Sequence, residues 1–118
     1  MRPVVMEIEP GYAVVHLPDR RRVRNHLRSI HAIALANLAE FTTGLATLTG
    51  APSDSRAILV ELQISYHKKA RGTLRSESRS TPPTTAEEQE LPVEAAIYDE
   101  SGDCVASGTA TWLIGPVT

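Results

Sequence analysis

The apolar positions of this 118-residue chain follow two different periods. From Ser29 to Leu48 (SIHAIALANLAEFTTGLATL) there is no proline, one glycine and five alanines, and apolar residues fall on every side of a helical projection. The stretch predicts one helix, capped by Ser29 and stopped by Gly50-Ala51-Pro52. A helix apolar all round is expected to be buried all round. Apart from His31, Glu40 is its only ionisable residue. A carboxylate in such a place is costly unless it is paired, hydrated or used.

Elsewhere the period is two. Residues 4–17 hold two β-prone runs separated by Pro10-Gly11, the second running from Tyr12 to Leu17 before Pro18-Asp19 ends it. In AILVELQISY (57–66), Ile58, Val60, Leu62, Ile64 and Tyr66 share one face and Glu61, Gln63 and Ser65 the other, with Leu59 out of step. TLRSESRS (73–80) would expose Thr73, Arg75, Glu77 and Arg79, and TPPTTAEEQE (81–90) reads as a loop. LPVEAAIYD (91–99) and CVASGTATWLI (104–114) flank DESGD as a hairpin.

The predicted order is a strand, one long helix, then four strands in a meander. One flat sheet cannot cover a helix apolar on all sides, so the pattern predicts a single α+β domain with a strongly curved antiparallel sheet wrapped around the helix. Ala32, Ala34, Ala36, Ala39, Gly44 and Ala46 would let the sheet approach closely. Such a unit leaves part of the helix or a sheet edge uncovered, which argues for a homodimer.

Composition narrows the class. Apolar residues make up 42%, too many for a disordered chain. The single cysteine, Cys104, excludes an internal disulfide framework and suits a reducing cytoplasm. The first residues lack a signal peptide's apolar core, and no run approaches a membrane span, so a soluble protein is expected. The net charge of −2 conceals an asymmetry: residues 20–75 hold ten Arg/Lys against three acids, the remainder two against eleven. An anionic partner approaching one side would fit, as would a merely solvated face. With one Phe, one Trp and three Tyr and no recognisable motif, nucleic acid is not the expected partner. The four histidines (16, 26, 31 and 67) have no i,i+4 pairing and no cysteine cluster, so no metal site is predicted.

The spacing Asn25…His31…Glu40, with Leu38-Ala39 before the acid, resembles the loop-helix motif N-x-x-G-x-x-H-G-G-x-x-x-x-L-A-D of hotdog-fold acyl-CoA thioesterases of the phenylacetyl-CoA type. The stretch ISYHKKARG resembles the strand and loop that follow the helix in that family, and strand order and length fit as well. The helix is closer still to a thioesterase-like branch reading N-H-x-x-x-x-H-A-I-A-L-x-N-L-A-E. Three family glycines fall at Arg28, Ala32 and Ile33, and glutamate replaces the aspartate at Glu40.

The resemblance implies hydrolysis of acyl-CoA or acyl-carrier thioesters, with no cofactor beyond the coenzyme A of the substrate. It makes Glu40 the general base or nucleophile and Asn25 the positioning residue. The Ala32 and Ile33 backbone N–H groups become oxyanion donors. His31 falls on the substrate side of the site; Asn37, three residues before Glu40 and on its face, is a further substrate-side candidate placed to hydrogen-bond the carboxylate, and Lys68, Lys69 and Arg71 are candidates for the coenzyme A phosphates. Trp112 and Phe41 are expected in the core rather than as specificity elements. Helix geometry separates His31 and Glu40 by roughly 13.5 Å along the axis and about 180° around it. If both serve one site, a second subunit must supply one of them, in a homodimer or a dimer of dimers. Three other readings compete: Glu40 paired with Arg24 or Arg28 as a structural ion pair, a non-catalytic acyl-CoA or fatty-acid binding protein, and a hotdog dehydratase using His31.

Overall fold

The computed structural model describes residues 3–18, 32–52, 54–81 and 87–116. Strands β1 (Val4–Glu9) and β2 (Tyr12–Leu17) precede helix α1 (Ala32–Thr49); β3 (Ser55–Tyr66), β4 (Leu74–Arg79), β5 (Gln89–Tyr98) and β6 (Cys104–Pro116) follow. The six strands form one antiparallel sheet in the order β1-β2-β4-β5-β6-β3, and the helix packs on one face of it.

This corrects the predicted meander. Only β4, β5 and β6 follow one another; β3 crosses to the far edge and pairs with β6, leaving β4 to pair with β2. Both β2 and β6 carry buried apolar residues beneath the helix, Val15 and Leu17 from one and Val105 and Ala106 from the other.

The β1–β2 hairpin turns at Gly11, whose φ of +80° is a conformation side-chain-bearing residues avoid. Strand β4 alternates as expected, with Leu74, Ser76 and Ser78 buried between Arg75, Glu77 and Arg79. Strand β3 does not keep one register. Its ladder to β6 shifts between Leu59 and Glu61, so Val60 is an extra, bulged residue. Ala57 and Leu59 face the helix side before the bulge, and Leu62 and Ile64 after it. Ile58 and Val60 therefore lie on the opposite, outer face, 50% and 48% exposed, not beside Leu62 and Ile64 as the simple alternation predicts. The out-of-step Leu59 is the sequence mark of that bulge.

The expectation of a helix buried all round also fails. Leu35, Leu38, Ala39, Thr42, Thr43, Ala46 and Thr47 are buried, but Ile33 is 75% exposed, and Asn37, Phe41 and Leu48 lie open on the other side. One sheet reaches only part of the circumference. Threonines tolerate the buried side because Thr42, Thr43 and Thr47 return their hydroxyls to the carbonyls four residues back, at 2.7–2.8 Å.

Two clusters form the core. The larger joins Val15, Leu17, Leu35, Leu38, Leu74, Ile97 and Val105 under the helix. The smaller gathers Val93, Ala110 and Trp112 with Ala57, Leu59, Leu62 and Leu91 under the β3 side of the sheet. No described helix is long and apolar enough to cross a membrane.

Candidate functional site

Where the smaller cluster meets the helix, a groove of about 410 Å³ opens along α1, lined by Asn37, Glu40, Phe41, Gly44, Leu45, Leu48 and Trp112. The sequence explains its shape. Glu40, Gly44 and Leu48 stand four residues apart on one row, and Phe41 and Leu45 on the next, so the missing side chain at Gly44 leaves a trough between ridges. Trp112 of β6 fills the floor beside it. An added Cβ on Gly44 would lie 3.1 Å from Trp112 Cζ2, so only glycine lets the indole rest there undisturbed. The indole Nε1–H donates to Thr43 Oγ1 at 2.9 Å, and that hydroxyl donates to the Ala39 carbonyl at 2.8 Å. Trp112 is thus fixed in rotation as well as in position. It is core on one side and groove on the other, and Phe41, 37% exposed, is a groove wall rather than core.

Glu40 is half-buried at the polar end of this groove, and its carboxylate takes no hydrogen bond or ion pair from the described residues. Asn37 lines the same end without bonding it. Arg24 and Arg28, the proposed structural partners, lie outside the described residues, as do Asn25, Ser29 and His31. Ala32 and Ile33 open α1, where backbone N–H groups have no acceptor within the helix. They are seven and eight residues from Glu40, roughly 10–12 Å along the axis, so one chain does not bring acid and donors together.

Tyr66, at the end of β3, donates its hydroxyl to the Ala32 carbonyl at 3.1 Å and ties the helix start to the sheet edge. No sequence pattern pointed to that contact beyond an aromatic ending a strand. The three predicted phosphate ligands separate into two kinds. Lys68 Nζ lies 3.0 Å from Asp99 Oδ2 and 2.9 Å from Asp103 Oδ2, which occupies it and fastens the β3–β4 loop to the β5–β6 turn. Those hydrogen bonds, first the one to Asp103 and then the one to Asp99, raise the lysine's pKa, and the lysine lowers that of Asp99. On the same seam, Glu100 accepts the Thr73 N–H beside Gly72, whose φ is +76°. Lys69 and Arg71 are exposed on either side of buried Ala70, with no ion pair to the described residues.

A larger depression of about 600 Å³ lies on the outer face of the sheet, lined by polar side chains such as Gln63, Glu77 and Glu94. Its charges are already engaged in part: Glu77 pairs with Arg75, and Arg79 stacks 4.3 Å over the Tyr12 ring. The described residues contain no group of His, Cys, Asp and Glu arranged to hold a metal.

Known structures share this architecture. The crystal structure of the protein called genomics APC5556 is 32% identical with a TM-score of 0.86, covering 97% of this chain and 77% of its own. PA5026 of Pseudomonas aeruginosa, described as a probable thioesterase, is 26% identical with a TM-score of 0.84, covering 97% and 83%. The smu.793 protein of Streptococcus mutans, solved bound to acetyl CoA, is 18% identical with a TM-score of 0.84, covering 98% and 90%. No curated protein matches the chain. The single helix on a curved six-stranded sheet is the hotdog fold of such thioesterases. With a family model matching residues 1–114, the chain belongs to the family described as "Domain of unknown function (DUF4442)".

Proposed function

We propose that this protein hydrolyses acyl-CoA thioesters at a site shared between two copies. The observation that carries the reading is a carboxylate, Glu40, with no partner among the described residues, at the head of an apolar groove on the hotdog helix. The likeness to PA5026 and to the acetyl-CoA-bound smu.793 protein supports it.

In the proposed reaction Glu40 takes a proton from water as the oxygen attacks the thioester carbonyl carbon. The carbonyl oxygen becomes an oxyanion, held by the Ala32 and Ile33 N–H groups of the second copy, where the helix dipole favours negative charge. Collapse of the tetrahedral intermediate breaks the C–S bond, and the proton returns to the departing thiolate. Products are a carboxylic acid and free coenzyme A. Direct attack by Glu40, through an anhydride that water then opens, gives the same products. Coenzyme A enters as the leaving group, so the reaction as written calls for no further cofactor. Asn25 and His31 complete the substrate end, and Lys69 with Arg71 would meet the phosphates. Lys68 drops out of that group because Asp99 and Asp103 hold it.

The β3 edge supports the shared site. That edge is twelve residues long, unpaired among the described strands, and carries exposed Ile58 and Val60. Such an edge invites a second β3. Antiparallel β3–β3 pairing about a two-fold axis runs the helices antiparallel, turning the start of each towards the middle of the other. Pairs could associate further into tetramers. A reducing cytoplasm, where acyl-CoA is available and Cys104 stays a free thiol, suits this activity.

Thiol release from a panel of acyl-CoAs tests the proposal. Glu40→Ala should lose about 10²–10⁴ in rate, as expected for a general base, and Glu40→Gln nearly as much. Equal rates for both variants and the wild type remove Glu40 from the mechanism. Binding without hydrolysis in the wild type would favour the non-catalytic acyl-CoA reading, which Ala32 and Ile33 in place of glycines motivate. Enoyl-thioester hydration dependent on His31 would favour the dehydratase.

A further inference from the structure

We propose that the groove beyond Glu40 is a subsite for straight acyl chains of medium length, and that Gly44 and Trp112 set how long a chain it takes. The inference rests on the reading of Glu40 as the hydrolytic acid, and it assigns what that reading leaves open, the acyl half of the substrate.

The groove begins at Glu40 and follows the helix to Leu48. Eight residues at the helical rise make a track of roughly 12 Å. An extended hydrocarbon chain advances about 1.3 Å per carbon, from a C–C bond near 1.5 Å bent at a tetrahedral angle. The track therefore accepts about eight to ten carbons, counted from a carbonyl carbon beside Glu40. Capacity agrees with length. A cavity of about 150 Å³ takes up benzene, and this groove offers about 410 Å³. Its walls past Asn37 and Glu40 are wholly apolar, which suits an aliphatic tail and gives a hydroxylated or charged acyl group no partner.

The control point lies halfway, about 6 Å from Glu40, where Gly44 faces the indole. A methyl group there would stand 3.1 Å from Trp112 Cζ2 and 3.2 Å from Cη2, closer than the indole tolerates without moving. The bond from Nε1 to Thr43 anchors the pyrrole edge at 2.9 Å. The six-membered ring must then give by a few tenths of an ångström, and the added methyl itself takes space from the groove beyond the fourth or fifth carbon. Leu48 marks the far end and is 46% exposed.

The test is a chain-length series, butanoyl- to hexadecanoyl-CoA, read in two ways: kcat/KM for thiol release, and calorimetric Kd on the Glu40→Gln variant. For the wild-type groove, each methylene that enters should improve kcat/KM by about fourfold, the worth of one buried CH₂, up to eight to ten carbons, then level off. Gly44→Ala, which favours the helix, should cost decanoyl-CoA more than about tenfold relative to butanoyl-CoA, two or more methylenes' worth. Leu48→Ala should move the plateau towards longer chains. The Kd series should show the same breaks. Hydrolysis with a flat profile, or a profile that Gly44→Ala scales uniformly, overturns the subsite while leaving Glu40's role intact. That is also the outcome if the second copy fills the groove. Wild-type binding with the predicted breaks but no hydrolysis overturns Glu40's role and keeps the subsite. Binding of no acyl-CoA at any length overturns both.

Discussion

Replacing Thr43 with valine keeps shape and volume but removes the hydroxyl that receives the Trp112 indole N–H. That bond is buried, 2.9 Å long, and spans 69 positions of sequence between α1 and β6. With Thr43 fully enclosed and Trp112 only 9% exposed, water cannot readily take the hydroxyl's place. The Ala39 carbonyl also loses its extra donor, but keeps the acceptor role any helical carbonyl has. The dominant cost is an indole N–H left without a partner, about 1–3 kcal/mol. For a domain of this size that corresponds to a fall in Tm of roughly 4–12 °C. Trp112→Phe removes the donor and costs packing as well. In that background Thr43→Val should cost little, so the double-mutant cycle should return a coupling of about 1–2 kcal/mol. Urea denaturation of the four proteins, with a common m-value, measures it. A Thr43→Val change within about 0.5 kcal/mol of wild type, or additive variants, would refute the claim that this bond fixes the indole.

Other predictions follow from the same contacts. Ala replacements of Lys69 and Arg71 should raise KM for acyl-CoA and flatten its salt dependence, whereas Lys68→Ala should leave KM unchanged; the reverse pattern would return Lys68 to the phosphate site. The Lys68–Asp99–Asp103 clamp should stabilise the protein evenly through neutral pH. Asp99's pKa is lowered in the fold, so its contribution is present above the unfolded aspartate range near pH 4 and is lost as pH falls through the lower folded value. Lys68's is raised, so its contribution is complete below the unfolded lysine range and lost only as pH rises through the higher folded value. The stability difference between wild type and Lys68→Met, followed by urea midpoint against pH, should shrink at both extremes; a difference that persists unchanged at pH 2 counts against the clamp. The proposed β3–β3 dimer predicts that Ile58→Lys, on the exposed β3 edge, shifts the sedimentation coefficient from dimer to monomer with the fold retained by circular dichroism; a wild type that is itself monomeric would remove that pairing.

The helix, the hairpins and the burial of β4 were legible because each rests on local periodicity and turn chemistry. Strand neighbours were not. Nothing in β3's own residues says that it pairs with β6 rather than β4, because strand pairing is settled between segments far apart in sequence. Leu59 broke the alternation in plain view, yet only the ladder to β6 identifies Val60 as the inserted residue. The site divides in the same way. Glu40 stood out as an ionisable group in an apolar stretch. The groove did not, because Gly44 reads as a weak helix residue until Trp112, 68 positions later, is laid against it. Lys68, Lys69 and Arg71 looked alike in sequence; only the turn 31 to 35 residues downstream, with Asp99 and Asp103, tells one from the others.

The central claim, a site built from two chains, is tested most directly by mixing two defective proteins. Glu40→Gln removes the acid. Ile33→Pro removes one oxyanion N–H at a position in the first helical turn where proline is tolerated. Each protein alone should be inactive. Unfolded and refolded together in equal amounts, half the dimers are mixed, and each of those carries one site with an intact Glu40 from one chain and an intact Ile33 N–H from the other. The mixture should therefore regain about one quarter of wild-type activity towards octanoyl-CoA, as an isologous shared site requires. If the mixture stays as inactive as its two components, the acid and the donors do not come from different chains.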